Sequence, residues 1–292
     1  MEVSVKAPAK INLSLDIVSR RPDGYHEVEM VLQSVSLYDK VTVKNFEDEE
    51  SDEIIITCST DNIPTDSSNI VYKAATAFFK YTNEKQNKLH IHIDKEIPSQ
   101  AGLAGGSTDG AATILALNYI YKTHLTEKEL MEICSRVGSD VPFCITGGTM
   151  LAKGTGTTLE KVASLSKSYI VIVKPDISVS TKEAYDKCDS RPFKQFSYTN
   201  ELVKMLYKRN LRAVSSVLYN EFENVLDLKK INEIKKTFMK NKALGTSMSG
   251  SGSAVFAIFD SEKKAKKCME NMKTEYNKIY LATPTKVGCE II

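Results

Sequence analysis

A glycine-rich segment at residues 98–112, PSQAGLAGGSTDGAA, holds the residue types best suited to chemistry in this chain. Its four glycines and the hydroxyls of Ser107 and Thr108 lie between an alternating strand pattern and an apolar helix pattern. Glycine allows several backbone N–H groups to approach one anion, and a helix N-terminus adds unpaired donors and partial positive charge. The segment therefore predicts a phosphate-binding loop at the start of a helix.

The loop differs from both common nucleotide-binding motifs. No lysine follows the glycines as in the P-loop, and the spacing does not match the G-x-G-x-x-G of dinucleotide-binding folds. A flexible glycine-rich turn without a ligand is the alternative interpretation.

Three other features could serve the same anion site. Lys10 lies in an otherwise apolar strand pattern, so it either faces solvent at a sheet edge or contributes to a site. Asp140, between small residues and Pro142, could be a functional carboxylate or could cap a turn. The segment 245–252, GTSMSGSG, is a second glycine-rich loop or a flexible connection. Two such loops inside one chain favour a shared anion site.

The composition is typical of a globular protein with a sizeable core, because 42% of the 292 residues are hydrophobic and 26% are charged. This length predicts two domains. A net charge of +2 without a clustered basic surface argues against nucleic-acid binding. The N-terminal residues lack a signal-peptide pattern, and no apolar run is long enough to span a membrane. We therefore expect a cytoplasmic protein with neither a nucleic-acid nor a membrane partner.

Metal and disulfide patterns are weak in this sequence. The six cysteines contain no C-x-x-C pair, which favours a reduced, intracellular compartment without a disulfide framework. His90 and His92 share one strand face without an apparent third ligand, so we interpret them as structural.

The hydrophobic patterns predict strands separated by helices, and therefore an α+β fold. The predicted strands are 2–18 with a break at Pro8, then 28–37, 40–44, 53–58, 89–94, 169–173, 254–259 and a final strand after 276. The predicted helices are 69–81, 108–121, one opened by a capping box at 126–129, several between 181 and 241, and 261–276. Predicted turns and loops are 21–24, an acidic loop at 47–53, and 138–143.

Five motifs follow one another along the chain: APAKINL at 7–13, DGYH at 23–26, AGLAGGSTD at 101–109, GSDVPF at 138–143 and MSGSG at 248–252. Their order resembles the GHMP kinases, the superfamily of galactokinase, homoserine, mevalonate and phosphomevalonate kinases. The resemblance covers nearly the whole chain, from Lys10 to Gly252. The early PAKINL and RPDGYH segments are similar to the branch that acts on a cytidine diphosphate substrate.

This resemblance implies the fold and the reaction. The expected fold is a two-domain α+β kinase, with residues 1–160 containing a left-handed β-α-β unit and residues 161–292 forming a ferredoxin-like α/β sandwich. ATP and Mg²⁺ are expected in the cleft between the domains. The expected reaction is phosphorylation of the 2-hydroxyl of a cytidine diphosphate–methylerythritol in the non-mevalonate isoprenoid route. The resemblance also suggests a monomer or weak homodimer.

The resemblance further implies which residues bind ATP. Asn69 matches a position near the adenine, and Ser107 matches a contact to phosphate or Mg²⁺. The phosphates would contact residues of the first loop, namely Pro98, Ser99, Gln100, Ala101, Gly102, Leu103, Ala104, Gly105, Gly106, Ser107 and Thr108. The second glycine loop would contribute Ser249, Gly250, Ser251 and Gly252.

The catalytic and substrate-binding residues follow from the same motifs. Asp140 matches the base that accepts the proton of the substrate hydroxyl, and Lys10 would lie beside it, favouring the ionised carboxylate and the developing alkoxide. Tyr25 and His26 match residues that hold the cytosine ring, with Tyr185 as the aromatic residue on its other face. The remaining substrate contacts would be Asn12 and Thr181.

Three positions depart from the pattern of the resembled kinases. Ala104 replaces a glycine, and its small methyl group should be tolerated. Asp109 replaces an asparagine, so we expect its carboxylate to point away from the phosphates or toward the cation. Ser253–Ala254 replaces Pro-Thr and removes the threonine hydroxyl at position 254.

Other functions remain open from the sequence. A sister kinase of the superfamily would act on homoserine, mevalonate or a sugar, without preference for a cytidine group. A catalytically silent relative would bind ATP or a metabolite but would lack the base or the lysine. A structural protein with incidental glycine loops would need all five motifs in order by chance.

Overall fold

A computed structural model describes residues 1–47, 51–193 and 196–292. The strands of these residues are β1 Glu2–Arg20, β2 His26–Phe46, β3 Ile54–Cys58, β4 Lys88–Asp94, β5 Thr149–Lys153, β6 Thr158–Lys161, β7 Tyr169–Val173, β8 Tyr219–Asn220, β9 Gly245–Met248, β10 Val255–Phe259, β11 Ile279–Ala282 and β12 Glu290–Ile291. The helices are α1 Ile70–Thr82, α2 Gly105–Ile120, α3 Glu127–Ser135, α4 Val141–Thr146, α5 Thr181–Asp189, α6 Tyr198–Tyr207, α7 Leu211–Ser216, α8 Phe222–Val225, α9 Lys229–Lys240 and α10 Glu262–Met272. Within the described ranges, every helix is too short or too polar to cross a membrane.

A long antiparallel hairpin of β1 and β2 forms the centre of the first sheet. It pairs from Glu2 opposite Lys44 to Arg20 opposite His26, and the predicted turn at 21–24 joins its strands. The predicted break at Pro8 is wrong, because β1 continues through it with a register shift between Pro8 and Lys10. The separate strands 28–37 and 40–44 are likewise one strand. A bulge accommodates the missing proline N–H and redirects the strand without ending it.

A parallel β-α-β unit extends this sheet. β3 pairs in parallel with β4, α1 connects them, and β4 lies beside β2. This is the part of the chain where the resemblance implies a left-handed crossover. Helices α1 and α2 pack together, and the core beneath them buries apolar side chains from both layers, including Val41, Phe78, Ile91, Ile114 and Leu117.

The second sheet has the strand order β11-β7-β10-β9 in the described residues. Its connections run β7–helices–β9–β10–α10–β11, which is the strand order and connectivity of a ferredoxin-like sandwich. The predicted α+β class is therefore confirmed. Two short strands, β8 and β12, return to the first sheet and pair with β1. The domain boundary at residue 160 stays a prediction.

Four predicted boundaries differ in the structure. Residues 245–248 of the predicted second glycine loop form strand β9, which leaves 249–252 as the loop. Helix α2 begins at Gly105, three residues before its predicted start at 108, because the glycine pair adopts helical backbone. The predicted loop 138–143 contains the start of a short helix, α4, with Pro142 in its first turn, where a missing N–H costs little. The helix predicted for 261–276 ends at Met272. The capping box at Thr126 is confirmed, and part of the predicted acidic loop 47–53 lies outside the described residues.

A buried charge cluster joins the first sheet to α2. Lys95 Nζ lies 2.5 Å from Asp39 Oδ2 and 2.6 Å from Asp109 Oδ2, and all three side chains are at most 5% exposed. The other oxygen of Asp39 accepts hydrogen bonds from the backbone N–H groups of Glu96 and Ile97. Burial, reinforced by the charge of Asp39 and only partly offset by Lys95, holds the pKa of Asp109 well above its usual value.

Replacing Lys95 tests this cluster. Lys95→Met leaves two carboxylates buried without their cation, so the free energy of unfolding should fall by about 3–5 kcal/mol. Urea unfolding measures the change, and Lys73→Met on the exposed side of α1 is the matched control. The double variant Lys95→Met/Asp109→Asn should recover part of the loss. If Lys95→Met is as stable as the control, the cluster does not stabilise the fold.

Candidate active site

Two adjoining cavities lie where the two glycine loops meet. The first has a volume of about 790 Å³ and contains the loop 98–107, whereas the second, of about 880 Å³, contains Lys10 and Asp140. Both are lined by Gly102, Thr181 and Ser251, so a group bound in one can reach the other. We call them the loop cavity and the lysine cavity.

The start of α2 forms one wall of the loop cavity. Its N-cap residue, Ala104, makes no side-chain capping hydrogen bond, so the first-turn N–H groups of Gly105 and Gly106 are free of a capping side chain. Both glycines and Ser107 line the cavity, as do the other predicted loop residues Pro98, Ser99, Gln100, Ala101, Gly102, Leu103 and Ala104. This arrangement presents helix donors and partial positive charge to an anion.

Three residues at the start of α2 differ from the rest of the first loop. Thr108 lies outside the loop cavity: it is fully buried, its N–H bonds to the carbonyl of Ala104, and its hydroxyl lies 3.7 Å from Cys289 Sγ. Asp109 lines the cavity, but its carboxylate faces the ammonium of Lys95. Ala104 adopts a left-handed backbone with φ of 58°, which an alanine accepts at some cost.

The second glycine loop packs directly against the first. Gly102 has φ of +74°, and a Cβ at this position would lie 2.0 Å from the carbonyl oxygen of Ser249. The Ser249 hydroxyl donates to the Gly102 carbonyl at 2.8 Å and accepts from the N–H of Asn12 at 3.2 Å. The N–H of Ala254 donates to the carbonyl of Ala101. Glycine at 102 is therefore a requirement of the contact between the loops.

Lys10 and Asp140 come together in the lysine cavity. Lys10 Nζ lies 3.8 Å from Asp140 Oδ2 and donates to Asn12 Oδ1 at 2.7 Å. The Lys10 side chain is 5% exposed, whereas that of Asp140 is 35% exposed. Asp140 is the N-cap residue of α4 and makes no capping hydrogen bond, so its carboxylate is not engaged by the helix. A buried cation thus holds an accessible carboxylate at the edge of the cavity.

Aromatic side chains form the far wall of the lysine cavity. The rings of His26 and Tyr185 stack with centroids 4.4 Å apart, which is too close for a base to lie between them. Tyr25 is 67% exposed on the adjacent turn. Burial, and then the charge of Asp140, raise the pKa of Tyr185 to about 12, so its hydroxyl is neutral.

Two further predicted residues lie at the cavity edges. Thr181, the first residue of α5, places its hydroxyl 2.7 Å from that of Ser251 where the cavities meet. Asn69 lines the loop cavity, but its amide donates to the carbonyl of Pro64 and its oxygen accepts from the N–H of Val71. Asn69 therefore fixes the start of α1 while facing the cavity.

Family models match both parts of the chain. The GHMP kinases N terminal domain matches residues 69–148, and the GHMP kinases C terminal model matches residues 206–278. A 4-diphosphocytidyl-2-C-methyl-D-erythritol kinase of Clostridium acetobutylicum is 41% identical over 281 residues, which cover 96% of this chain and 99% of the relative. This chain belongs to the 4-diphosphocytidyl-2-C-methyl-D-erythritol kinase family of GHMP kinases.

Other relatives agree with this membership. An Alkaliphilus oremlandii protein of the same name is 43% identical over 293 residues, covering 99% of each chain. A crystal structure of a 4-(cytidine 5'-diphospho)-2C-methyl-D-erythritol kinase has a TM-score of 0.81 at 27% identity, covering 97% of this chain and 99% of that chain. A crystal structure of a homoserine kinase from Cytophaga hutchinsonii has a TM-score of 0.79 at 21% identity, and it shares the fold. The match covers all of this chain and 97% of that chain. The predicted GHMP-kinase fold and family are confirmed, and ATP is the expected phosphoryl donor of the family.

Sequence reasoning missed two charged residues of this GHMP kinase site. Asp189 Oδ1 lies 2.7 Å from His26 Nε2, and Arg20 Nη1 lies 3.2 Å from Asp189 Oδ2. Both charged residues line the lysine cavity. Arg20 immediately precedes the RPDGYH segment, but nothing near Asp189 in the sequence connects it to His26.

Gly102→Ala tests the contact between the loops. The new methyl group would collide with the Ser249 carbonyl, so kinase activity should fall by more than about tenfold through displacement of the loops. The measurement is kcat/KM for ATP, with circular dichroism to verify folding. Gly154→Ala is the control, because it also places alanine at positive φ, lines neither cavity and meets only the Thr158 hydroxyl at 3.6 Å, an ordinary contact distance. Equal losses in both variants would show that φ, not the loop contact, is responsible.

Proposed function

We propose that this chain transfers the γ-phosphoryl group of ATP to the 2-hydroxyl of 4-diphosphocytidyl-2-C-methyl-D-erythritol. The observation that carries the proposal is the Lys10–Asp140 pair, 3.8 Å apart beside the junction of the two cavities. The names of the relatives support the substrate, and the positive helix start of α2 supports a phosphate donor in the loop cavity.

ATP binding is assigned to the loop cavity. The N–H groups at Gly105 and Gly106 are positioned for phosphate oxygens, and Ser107 adds a hydroxyl. Asn69 lines the same cavity at the helix start of α1, where we place the adenine. The second loop, through Ser251 and Gly252, closes the cavity toward the substrate side.

The residues present also fit Mg²⁺ held mainly by phosphate oxygens. Ser107 offers a hydroxyl in the loop cavity, and Asp109 Oδ1 is a buried oxygen without a hydrogen-bond partner among the described residues. When bound, the ion would neutralise charge on the transferred phosphoryl group. Mg²⁺ is therefore part of the proposal, with Ser107 as the protein residue assigned to it.

Proton removal is assigned to Asp140. Its partly exposed carboxylate can accept the proton of the substrate hydroxyl as that oxygen attacks the γ-phosphorus in line. Lys10, held by Asn12, keeps a positive charge beside both the carboxylate and the developing alkoxide. Phosphoryl transfer depends on positioning the reactants and stabilising the developing charge more than on covalent chemistry. Asp140, Lys10 and Asn12 are assigned these two tasks.

Cytosine recognition is assigned to the aromatic wall. His26 already uses Nε2 with Asp189, so Nδ1 is the ring nitrogen left for the base. Stacking is assigned to Tyr25 and to the His26–Tyr185 pair, with the base on the side of Tyr25. Thr181 and Asn12, which line the same cavity, are assigned to the diphosphate and the methylerythritol.

A substrate panel tests the proposed reaction. The purified enzyme with ATP and Mg²⁺ should release ADP with the cytidine diphosphate–methylerythritol, and at most slowly with mevalonate, homoserine or galactose. Coupled ADP detection and phosphorus NMR of the product measure the rate and the site of transfer. Faster turnover of mevalonate or homoserine would show that the chain is another kinase of the superfamily. ATP binding without turnover of any substrate would indicate a catalytically silent relative.

Asp140→Asn tests the base. We expect kcat to fall by about 10²–10⁴-fold while the affinity for ATP is kept, because the amide cannot accept the proton. Asparagine suits an N-cap, so α4 should remain folded. Asp61→Asn, an exposed carboxylate outside both cavities, is the matched control. An unchanged kcat in Asp140→Asn would remove the residue from this role.

His26→Ala tests recognition of the base. Loss of one hydrogen bond and one stacked ring should raise KM for the cytidine substrate by about 10–100-fold. KM for ATP serves as the internal control and should change little, since His26 lines only the lysine cavity. An equal rise in both KM values would contradict cytosine recognition by His26.

A further inference from the structure

A third cavity, of about 480 Å³, lies apart from the two described above, and none of its described lining residues belongs to them. Its walls come from residues 164–169, between β6 and β7, and residues 283–286, between β11 and β12. Both segments carry the chain from one sheet to the other. Gln33 of β2 and Thr149 of β5 complete the lining.

The polar groups of this cavity are suited to an anion that also carries hydroxyls. Lys167 and Lys286 are exposed at the cavity and have no ion-pair partner within the described ranges. Their ammonium groups therefore add uncompensated positive charge to one small space. Hydroxyl side chains line the same space: Thr149, Ser164, Ser168, Thr283 and Thr285.

Ser168 provides a second, independent indication of a ligand. The residue is 1% exposed, and its Oγ has no hydrogen-bond partner among the described residues. A buried hydroxyl without a partner is unfavourable, so such a group is normally satisfied by a bound molecule. Ser168 is one of the residues that line this cavity, so a molecule bound there could supply the missing partner.

We propose that this cavity binds a small phosphorylated polyol. The phosphate pairs with Lys167 and Lys286, and a ligand hydroxyl bonds to Ser168 Oγ. Leu165 and Tyr169 supply an apolar wall against the carbon chain. The volume lies at the lower end of the range of about 300–1,000 Å³ for small-molecule sites, which suits a ligand of a few carbons.

This site is connected to the strand behind Lys10. Gln33 accepts a hydrogen bond from Thr149 at 2.6 Å and donates to the carbonyl of Thr285 at 2.9 Å. The next residue, Ser34, accepts from the N–H of Thr285 and is the Cα partner of Lys10 in the β1–β2 ladder. A ligand that holds the two crossing segments together would therefore restrain the strand partner of Lys10.

Binding is tested with glycerol 3-phosphate as the probe. Calorimetry uses the full chain saturated with ADP, so that the loop cavity is already occupied, and should give one saturable site. Lys167→Ala/Lys286→Ala should weaken the affinity by about tenfold or more, and Ser168→Ala by about threefold to tenfold. Lys263→Ala/Lys267→Ala, on the exposed side of α10, removes the same charge elsewhere and should bind as the unchanged protein does.

Four outcomes would overturn the proposal. If millimolar glycerol 3-phosphate does not bind, or if both lysine double variants lose the same affinity, the cavity is not a binding site for it. Equal affinities for glycerol 3-phosphate and inorganic phosphate would show that the site does not recognise a polyol. Hydrogen exchange should slow at residues 33–35, 164–169 and 283–286 with the probe, whereas protection confined to residues 98–107 would place the probe in the loop cavity. None of these readouts depends on the kinase substrate, so failure here leaves the proposed reaction untouched.

Discussion

The backbone contact between Gly102 and Ser249 sets the geometry of the whole site. It brings a loop of the first sheet within hydrogen-bond distance of a loop of the second, and a single side-chain carbon would prevent it. Asn12 joins the same contact through its N–H, and Asn12 also holds Lys10. The position of Lys10 and the shape of the loop cavity thus depend on one close approach of two glycine-rich segments.

Electrostatics around the loop cavity follow from burial. The Asp39–Lys95–Asp109 cluster places two carboxylates and one ammonium next to the start of α2, where a phosphate donor would add more negative charge. The elevated pKa of Asp109 means that this carboxyl holds a proton at pH values where an exposed aspartate is ionised. The stability contributed by the protonated form is complete below the ordinary aspartate pKa and declines as pH rises through the elevated value.

The sequence was informative where the chemistry depends on residue type within a short segment. Glycine spacing predicted the phosphate loop, and the five motifs in order predicted the family, the two-domain fold and the meeting of Lys10 with Asp140. Long-range pairs were not predictable: Asp189 reaches His26 across 163 positions, and Lys95 reaches Asp39 across 56. Two element boundaries were predicted wrongly because local propensity was overridden. A bulge allows β1 to continue through Pro8, and α2 begins with Gly105 and Gly106 although glycine disfavours a helix.

The return of β12 to the first sheet has a consequence for how the molecule is made. Glu290 and Ile291 pair with Lys6 and Val5, so the strand that carries Lys10 obtains one of its neighbours only when nearly the whole chain has been synthesised. The first sheet therefore spends most of translation with an open edge beside β1, and this pairing closes a loop of more than 280 residues. Closing so long a loop costs entropy, and the contacts of residues 283–284 with Val35 and Ser36 reduce that cost by holding the end of the chain near the first sheet. A chain that lacks this final segment would therefore carry Lys10 on a strand with one neighbour missing.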